Sequence, residues 1–293
     1  MTGRRDRIAI IGPGRMGLAL GAALVQADAV ERIDFFGRDE GPPPHPIFET
    51  GSGRIEYRGP LSRLPDATSA VILAVPDEKL VEVAYGLATF GPAPAGCVAL
   101  HLAGAISTDV LAPLHAVGYE IGSMHPLQSV ADPWSGGGRL AEAGFALAGQ
   151  PGALAVGRRL VRALGGRPFV IPPTLRPLYH AAATYASNYL VALIAVAARL
   201  IQSAGVDQED ALPAMLHLVR GTLDNLEQLG PAAALTGPIA RGDVDTVRLH
   251  LARLSDEDRA LYCALGRETV RLARAAGLDP GRAVTLESLL AIE

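Results

Sequence analysis

Short apolar runs alternate with helically spaced apolar positions along the first half of the chain, and the alternation then gives way to helical spacing alone. The apolar runs predict strands at about Arg7–Ile11, Arg32–Phe36, Ala70–Val75, Cys97–Leu102, Glu120–Met124, Phe145–Ala148 and Pro168–Ile171. Between them, period-3.6 patterns predict helices at Arg15–Gln26, Glu78–Ala88, Thr108–His115 and Ala153–Leu164. Strands separated by helices of this length build βαβ units and a parallel sheet.

The pattern changes after Ile171-Pro-Pro-Thr-Leu-Arg-Pro177. From Leu178 to Ala291 only helical periodicity remains, broken at Gly205, Gly230-Pro231, Gly237-Pro238, Arg241-Gly242-Asp243 and Gly277-Leu-Asp-Pro280. Asp243 and Ser255 suit helix N-caps, and Gly205 and Gly277 suit the left-handed residue past a helix end. The expected organisation is therefore an α/β domain over residues 1–172 and an all-helical domain over 173–293. The apolar run from Tyr189 to Ala198 is too short to span a bilayer and reads as a buried helix. The Gly41-Pro-Pro-Pro-His-Pro stretch reads as a surface loop in which His45 is solvated.

The first strand runs into Gly12-Pro-Gly-Arg-Met-Gly17 and then an Ala/Leu-rich helix. A tight strand-to-helix turn offers free N–H groups and the positive end of a helix dipole, a ready site for a pyrophosphate. With 33 glycines in 293 residues, the bare spacing arises by chance about 0.4 times per chain. Its position after the first strand is what points to a dinucleotide site, the alternative being a Gly-rich turn of an ordinary α/β domain. Gly12, Pro13, Gly14, Arg15, Met16 and Gly17 are the candidate phosphate-binding residues.

Composition narrows the classes. A net charge of −4 gives no general attraction to nucleic acid or anionic membrane, and 5% aromatic residues disfavour base-stacking platforms. The two cysteines, Cys97 and Cys263, stand far apart in no ligand spacing, so neither a disulfide framework nor a metal site is expected. Arg4, Arg5 and Arg7 before an apolar stretch imitate a signal peptide, but Gly-Pro-Gly-Arg interrupts that stretch; a cytoplasmic location is expected.

Cofactor choice is normally read at the end of the second strand. In Ile33-Asp-Phe-Phe-Gly-Arg38 the acidic residue lies inside the strand, and the tip offers Arg38. A guanidinium there binds a 2′-phosphate and stacks on adenine, which favours NADP over NAD; the alternative is an ordinary solvated arginine. Ala74, Val75 and Pro76 close one strand and His101 to Gly104 the next, both on the crevice where such sheets bind ligands. They complete the candidate cofactor contacts.

Reduction of a carbonyl needs a proton donor. His125 stands past a strand end, and His180 opens the long helix. On a regular helix His180, Thr184, Ser187 and Asn188 fall within about a 100° arc of an otherwise apolar segment. A substrate or neighbouring backbone must satisfy such a stripe. Arg241, in Leu235-Thr-Gly-Pro-Ile-Ala-Arg-Gly-Asp243, either clamps an acidic substrate group or pairs with Asp243.

Taken together, the Gly12–Gly17 loop, Leu73-Ala-Val-Pro-Asp77, His101-Leu-Ala-Gly104, His125-Pro-Leu-Gln128, His180 through Asn188 and Leu235–Asp243 resemble a bacterial family with a Rossmann-like NADP-binding domain and a helical domain of unknown function. More distantly the layout is similar to ketopantoate reductases, to β-hydroxyacid dehydrogenases with 6-phosphogluconate dehydrogenase, and to pyrroline-5-carboxylate reductase. The resemblance implies a doubly wound, mostly parallel Rossmann sheet followed by an all-α domain like the carboxyl-terminal domain of 6-phosphogluconate dehydrogenase. It also implies a ketopantoate-like 2-keto acid as candidate substrate. Asn188 matches the substrate-holding asparagine of the hydroxyacid enzymes, but Thr184 stands where they carry a lysine. The donor is then His180, His125 or a water. The expectation is a cytoplasmic, homodimeric NADPH-dependent reductase of a small carbonyl acid, with His180 as donor, Asn188 and Thr184 orienting the oxygen, and Ser187 and Arg241 on the substrate. An imine reductase and a non-catalytic NADP(H) sensor are the alternatives.

Overall fold

The computed structural model describes residues 6–49 and 53–291. Arg4 and Arg5 lie outside them. The chain divides into two compact units, Met1–Leu190 and Val191–Glu293.

The first unit is built on eight strands: β1 Asp6–Ile11, β2 Val30–Gly37, β3 Ile55–Pro60, β4 Ala70–Leu73, β5 Val98–His101, β6 Glu120–Pro126, β7 Gly144–Gly149 and β8 Arg167–Val170. They form one sheet in the order β3-β2-β1-β4-β5-β6-β7-β8. Every pairing is parallel except β6 with β7. Alternate residues of β1 belong to different cores: Ile8 and Ile10 pack with α1 (Arg15–Gln26) and α5 (Pro151–Ala163), and Ala9 and Ile11 with α2 (Leu80–Ala88) and α3 (Ala112–Ala116). Burial of both faces explains why these strands read as continuous apolar runs. The order reverses at β1, which opens a crevice at the carboxyl ends of the parallel strands.

Two elements were not expected. The edge strand β3 is short and charged, and Glu56 and Arg58 on it pair with Arg32 and Asp34 of β2. Charge of this kind blunts an edge and also hides a strand from an apolar-run reading. The helix α4 (Pro133–Leu140) contains Gly136-Gly-Gly138, a poor helix former. It packs on α1 because Gly137 has no side chain: a Cβ there would stand 3.3 Å from the Ala19 carbonyl oxygen and the Ala22 methyl.

Several features differ from expectation. His45 is not solvated: it is buried, its Nδ1 accepts the Ile47 N–H at 3.2 Å, and its ring stacks on Trp134. The first compact unit runs on past residue 172 to Leu190, because α6 (Arg176–Thr184) inserts Arg176 into it, fully buried. The helix also turns wide over Tyr185–Tyr189, a π segment, so the regular 100° spacing assumed for His180 to Asn188 does not hold.

The second unit holds α7 (Leu190–Ser203, whose first residue belongs to the first unit), α8 (Gln208–Ala234, broken at Gly230 with φ +73°), α9 (Pro238–Arg241), α10 (Val244–Leu251), α11 (Asp256–Ala275) and α12 (Pro280–Leu290). Its core is Ile239, Val247, Leu251, Cys263, Val270, Ala273, Ala283, Leu286 and Leu290. Asp243 and Ser255 are N-caps, accepting the Thr246 and Asp258 N–H groups, and Gly205 and Gly277 are left-handed as expected. Ser255 Oγ donates to Asp258, and Arg199 of α7 reaches the same carboxylate. The Tyr189–Ala198 run is not a buried helix within this chain: of α7 only Ala198 is buried, and Val191 is 68% exposed. By length and composition alone, the run Pro173–Ser203 is apolar enough to cross a membrane.

Candidate functional site

The turn after β1 shows why glycine is needed. Gly12 is left-handed (φ +101°), and a Cβ there would stand 2.6 Å from the Ala74 carbonyl oxygen. A Cβ on Gly17 would stand 2.2 Å from the Gly12 carbonyl oxygen, so α1 lies directly on the turn that precedes it. Gly14 is the N-cap of α1, makes no side-chain cap bond, and has nothing within 4 Å of where its Cβ would be. The first amides of this twelve-residue helix therefore have no side-chain cap, and the Gly14 Cα borders open space.

That space belongs to a cavity of about 620 Å³ lined by Gly12, Pro13 and Gly14, by Arg38 and Asp39, by Ala74, Val75 and Pro76, and by Pro43, Tyr57, Lys79 and Val83. Seven of the candidate cofactor residues are thus brought together here: Gly12, Pro13, Gly14, Arg38, Ala74, Val75 and Pro76. Arg15, Met16 and Gly17 form the first turn of α1 beside it. Asp34, the acid that could have read a ribose hydroxyl, is buried within β2 and held by Arg32 (3.2 Å) and Arg58 (2.9 Å). The basic groups on the wall are Arg38 and Lys79, the latter paired with Glu82 at 2.7 Å. Lys79, Tyr57 and Pro43 were not singled out in the sequence: Lys79 begins a helix, and the other two come from the unexpected strand and the proline-rich loop.

Candidate cofactor residues His101 and Gly104 lie elsewhere, at the end of β5, among groups brought by β6 and α6. A Cβ on Gly104 would stand 2.4 Å from His180 Nδ1 and 2.9 Å from His125 Nε2, so both imidazoles pack against Gly104, which only a residue without a side chain allows. The two imidazoles are 5.8 Å apart and nearly perpendicular. His125 Nδ1 is 2.7 Å from the Tyr179 hydroxyl. His101 is fully buried; its Nδ1 accepts the Ala103 N–H at 3.2 Å, and its Nε2 has no partner among the described residues. Register pairs His101 with Ser123, two residues before His125.

Arg176 ties this cluster together. Its guanidinium donates to the Ile106 carbonyl at 2.8 Å, to Ser123 Oγ at 2.7 Å and to the Ala103 carbonyl. No carboxylate is bonded to it among the described residues. A buried cation without a counter-ion works against its neighbours' protonation. Burial, and then the charges of His180 and Arg176, push His125 down to about 4. Burial, and then Arg176 and His125, push His101 down to about 3. Burial pushes the Tyr179 phenol up to about 12. At neutral pH His101, His125 and Tyr179 are therefore all uncharged.

Of the other candidates, Thr184 Oγ1 donates back to the His180 carbonyl at 3.1 Å, and Ser187 and Asn188 lie in the π segment, Asn188 exposed. Arg241 belongs to the second unit, where it is exposed and its carbonyl accepts a bond from Arg282. Arg176 and Tyr179 were missed in the sequence. The signal available was a lone arginine at the mouth of an apolar helix, which the flanking prolines made look like linker.

The cavity sits at the ends of β1, β2 and β4, and the histidine cluster at the ends of β5 and β6, the next strands of the sheet. Neighbouring strands lie about 4.8 Å apart. An extended ligand on the Gly12 turn therefore has the cluster within its own length.

Comparison with known proteins accords with this architecture. Residues 59–126 match the model of a Rossmann-like domain, and residues 143–269 match a domain of unknown function, DUF2520. No curated protein matches the chain. Among solved structures, a Thermotoga maritima protein is 23% identical over 95% of this chain and 98% of its own, with a TM-score of 0.64. Plasmodium falciparum pyrroline carboxylate reductase with NADP bound is 13% identical over 99% and 100%, with a TM-score of 0.61. The reductive aminase of Aspergillus terreus, in complex with NADPH4, cyclohexanone and allyl amine, is 17% identical over 98% and 92%, at 0.56. At such identities the likeness is one of fold. Residues 59–126 thus resemble a Rossmann-like domain, and residues 143–269 resemble the DUF2520 domain.

Proposed function

We propose that the chain is an NADP-dependent oxidoreductase that reduces a small carbonyl acid, a ketopantoate-like 2-keto acid being the leading candidate. One observation carries the reading: the uncapped start of α1 opens on a cavity of about 620 Å³ with Arg38 on its wall. The residues fit the group. The α1 amides would hold the pyrophosphate. Arg38 would take the 2′-phosphate, while Asp34, engaged by Arg32 and Arg58, leaves no acid of β2 free to repel it. The names of similar folds, a reductase with NADP bound and an aminase in complex with NADPH4, support the same choice. When bound, the cofactor supplies the hydride.

The chain's own residues do the rest. His180, packed beside Gly104 and His125, gives a proton to the oxygen that takes up the C=O electron pair. Asn188 orients that oxygen, and Thr184 joins it when its hydroxyl turns from the His180 carbonyl to which it now donates. A second reading, reduction of an imine or cyclic imine, is favoured by Thr184 in place of a lysine acid and by a His125 that is neutral at physiological pH. A substrate that arrives as an iminium needs no such donor.

The second unit leaves several large apolar side chains exposed, among them Val191, Leu212, Leu218, Leu223 and Leu229. A second copy of the chain is the proposed cover. Lipid is disfavoured for the apolar run because it also carries Arg176, which is hydrogen-bonded to the backbone of the first unit.

The test is turnover of NADPH with a panel of 2-keto acids and cyclic imines. Oxidation with a 2-keto acid, lowered about 10²-fold or more in His180→Gln, is the expected result. Turnover with cyclic imines alone selects the second reading, and binding without turnover selects a sensor.

A further inference from the structure

His125 offers its two ring nitrogens to two different surroundings. Nδ1 meets the Tyr179 hydroxyl at 2.7 Å, and Nε2 faces Gly104 together with His180 Nδ1. The phenol has a single proton and no second hydrogen-bond partner among the described residues. If that proton is donated to Nδ1, the imidazole carries its own proton on Nε2. Arg176, one helical turn before Tyr179, is fully buried and bonded only to neutral oxygens, those of Ala103, Ile106 and Ser123. Its guanidinium fixes the segment after β5 on which Gly104 lies, and leaves a positive charge uncompensated beside the ring.

We propose that Tyr179 and Arg176 are positioning residues that hold His125 as a neutral imidazole with its Nε2–H on the side shared with Gly104 and His180. From that side of the ring His125 gives a hydrogen bond to the substrate's reacting oxygen or nitrogen, and His180 is the proton donor. A neutral imidazole suits this role because it stabilises developing negative charge without competing as an acid. The assignment rests on the oxidoreductase reading for what His125 touches, and on geometry alone for its tautomer.

The titratable and charged groups that act on His125 come from each element around it: Arg176, Tyr179 and His180 from α6, and His101 from the end of β5. No acid is hydrogen-bonded to any of these side chains among the described residues. Burial and positive neighbours both oppose a second proton on the ring and keep it neutral, while the tautomer is set by the Tyr179 hydrogen bond at Nδ1. Gly104 completes the arrangement, since any side chain there would collide with both imidazoles.

The experiment is long-range ¹⁵N–¹H NMR of the full chain labelled at histidine, from pH 8 to pH 5, with His125 assigned by its disappearance in His125→Gln. The expected spectrum shows Nδ1 unprotonated and Nε2 protonated, unchanged down to pH 5. Tyr179→Phe loses that tautomer preference and lowers kcat about tenfold with KM within twofold. Arg176→Gln moves protonation of His125 upward from about 4 while burial, the largest cause, still holds it below the ordinary imidazole value, seen in the spectrum and in the acid limb of the pH–rate profile, and Arg176→Lys restores the wild-type behaviour. An Nδ1–H tautomer, an imidazolium at pH 6, or a Tyr179→Phe spectrum like that of the wild type overturns the proposal. Failure of the wild type to take up NADPH or oxidise it overturns the reading of function instead, and the tautomer is scored independently of it.

Discussion

Gly14 and Gly17 stand three residues apart and are needed for opposite reasons. A methyl at Gly17 collides with backbone, 2.2 Å from the Gly12 carbonyl oxygen, whereas one at Gly14 meets nothing. Gly17→Ala must push α1 off the turn and is expected to cost about 1–3 kcal/mol, seen as a lower Tm. Gly14→Ala, at φ −83°, is expected to stay within about 0.5 kcal/mol of the wild type and yet to weaken NADPH uptake at least tenfold. A Gly14→Ala chain that binds as tightly as the wild type would show that the open space is not where the phosphates lie. At this scale much of the cofactor cavity was legible, because the requirement for glycine is local and leaves a spacing in the chain. The histidine cluster was only half legible. His125 and His180 are distinctive residues at element ends, but Arg176 and Tyr179 gain their meaning from strands some 50 to 70 residues away.

Elements were legible where a buried face repeats at one period. The helix α1 was expected at its observed bounds because both its start and its apolar face are written in the sequence. The strand β3 and the helix α4 were not, since one is held by charged cross-strand pairs and the other by glycine packing. The π segment at Tyr185–Tyr189 breaks no composition rule and leaves no trace in the periodicity. The α7–α11 contact gives this scale its prediction. Arg199, then Ser255, holds the Asp258 carboxyl at about 2, below the ordinary 3.8. A depressed folded-state pKa stabilises above the unfolded value and is lost as pH falls through the folded one. Stability of the helical unit should therefore decline between about pH 4 and pH 2, and Asp258→Asn should flatten that decline and lower stability at neutral pH. Denaturant melts of both chains followed by circular dichroism check this; parallel pH profiles would contradict it.

At the scale of the whole molecule, an apolar helix that its own unit leaves exposed calls for a partner surface. If a second copy provides it, sedimentation equilibrium will give twice the chain mass, and Leu218→Asp will shift the protein toward the single chain with its helix content kept. A wild-type monomer at micromolar concentration would remove that proposal without touching the cofactor site. The account as a whole stands on that site, so calorimetry with NADPH and NADH tests it most directly. The account predicts one NADPH per chain, bound at least tenfold more tightly than NADH, with the preference lost in Arg38→Ala. Folded protein that takes up neither nucleotide would contradict it.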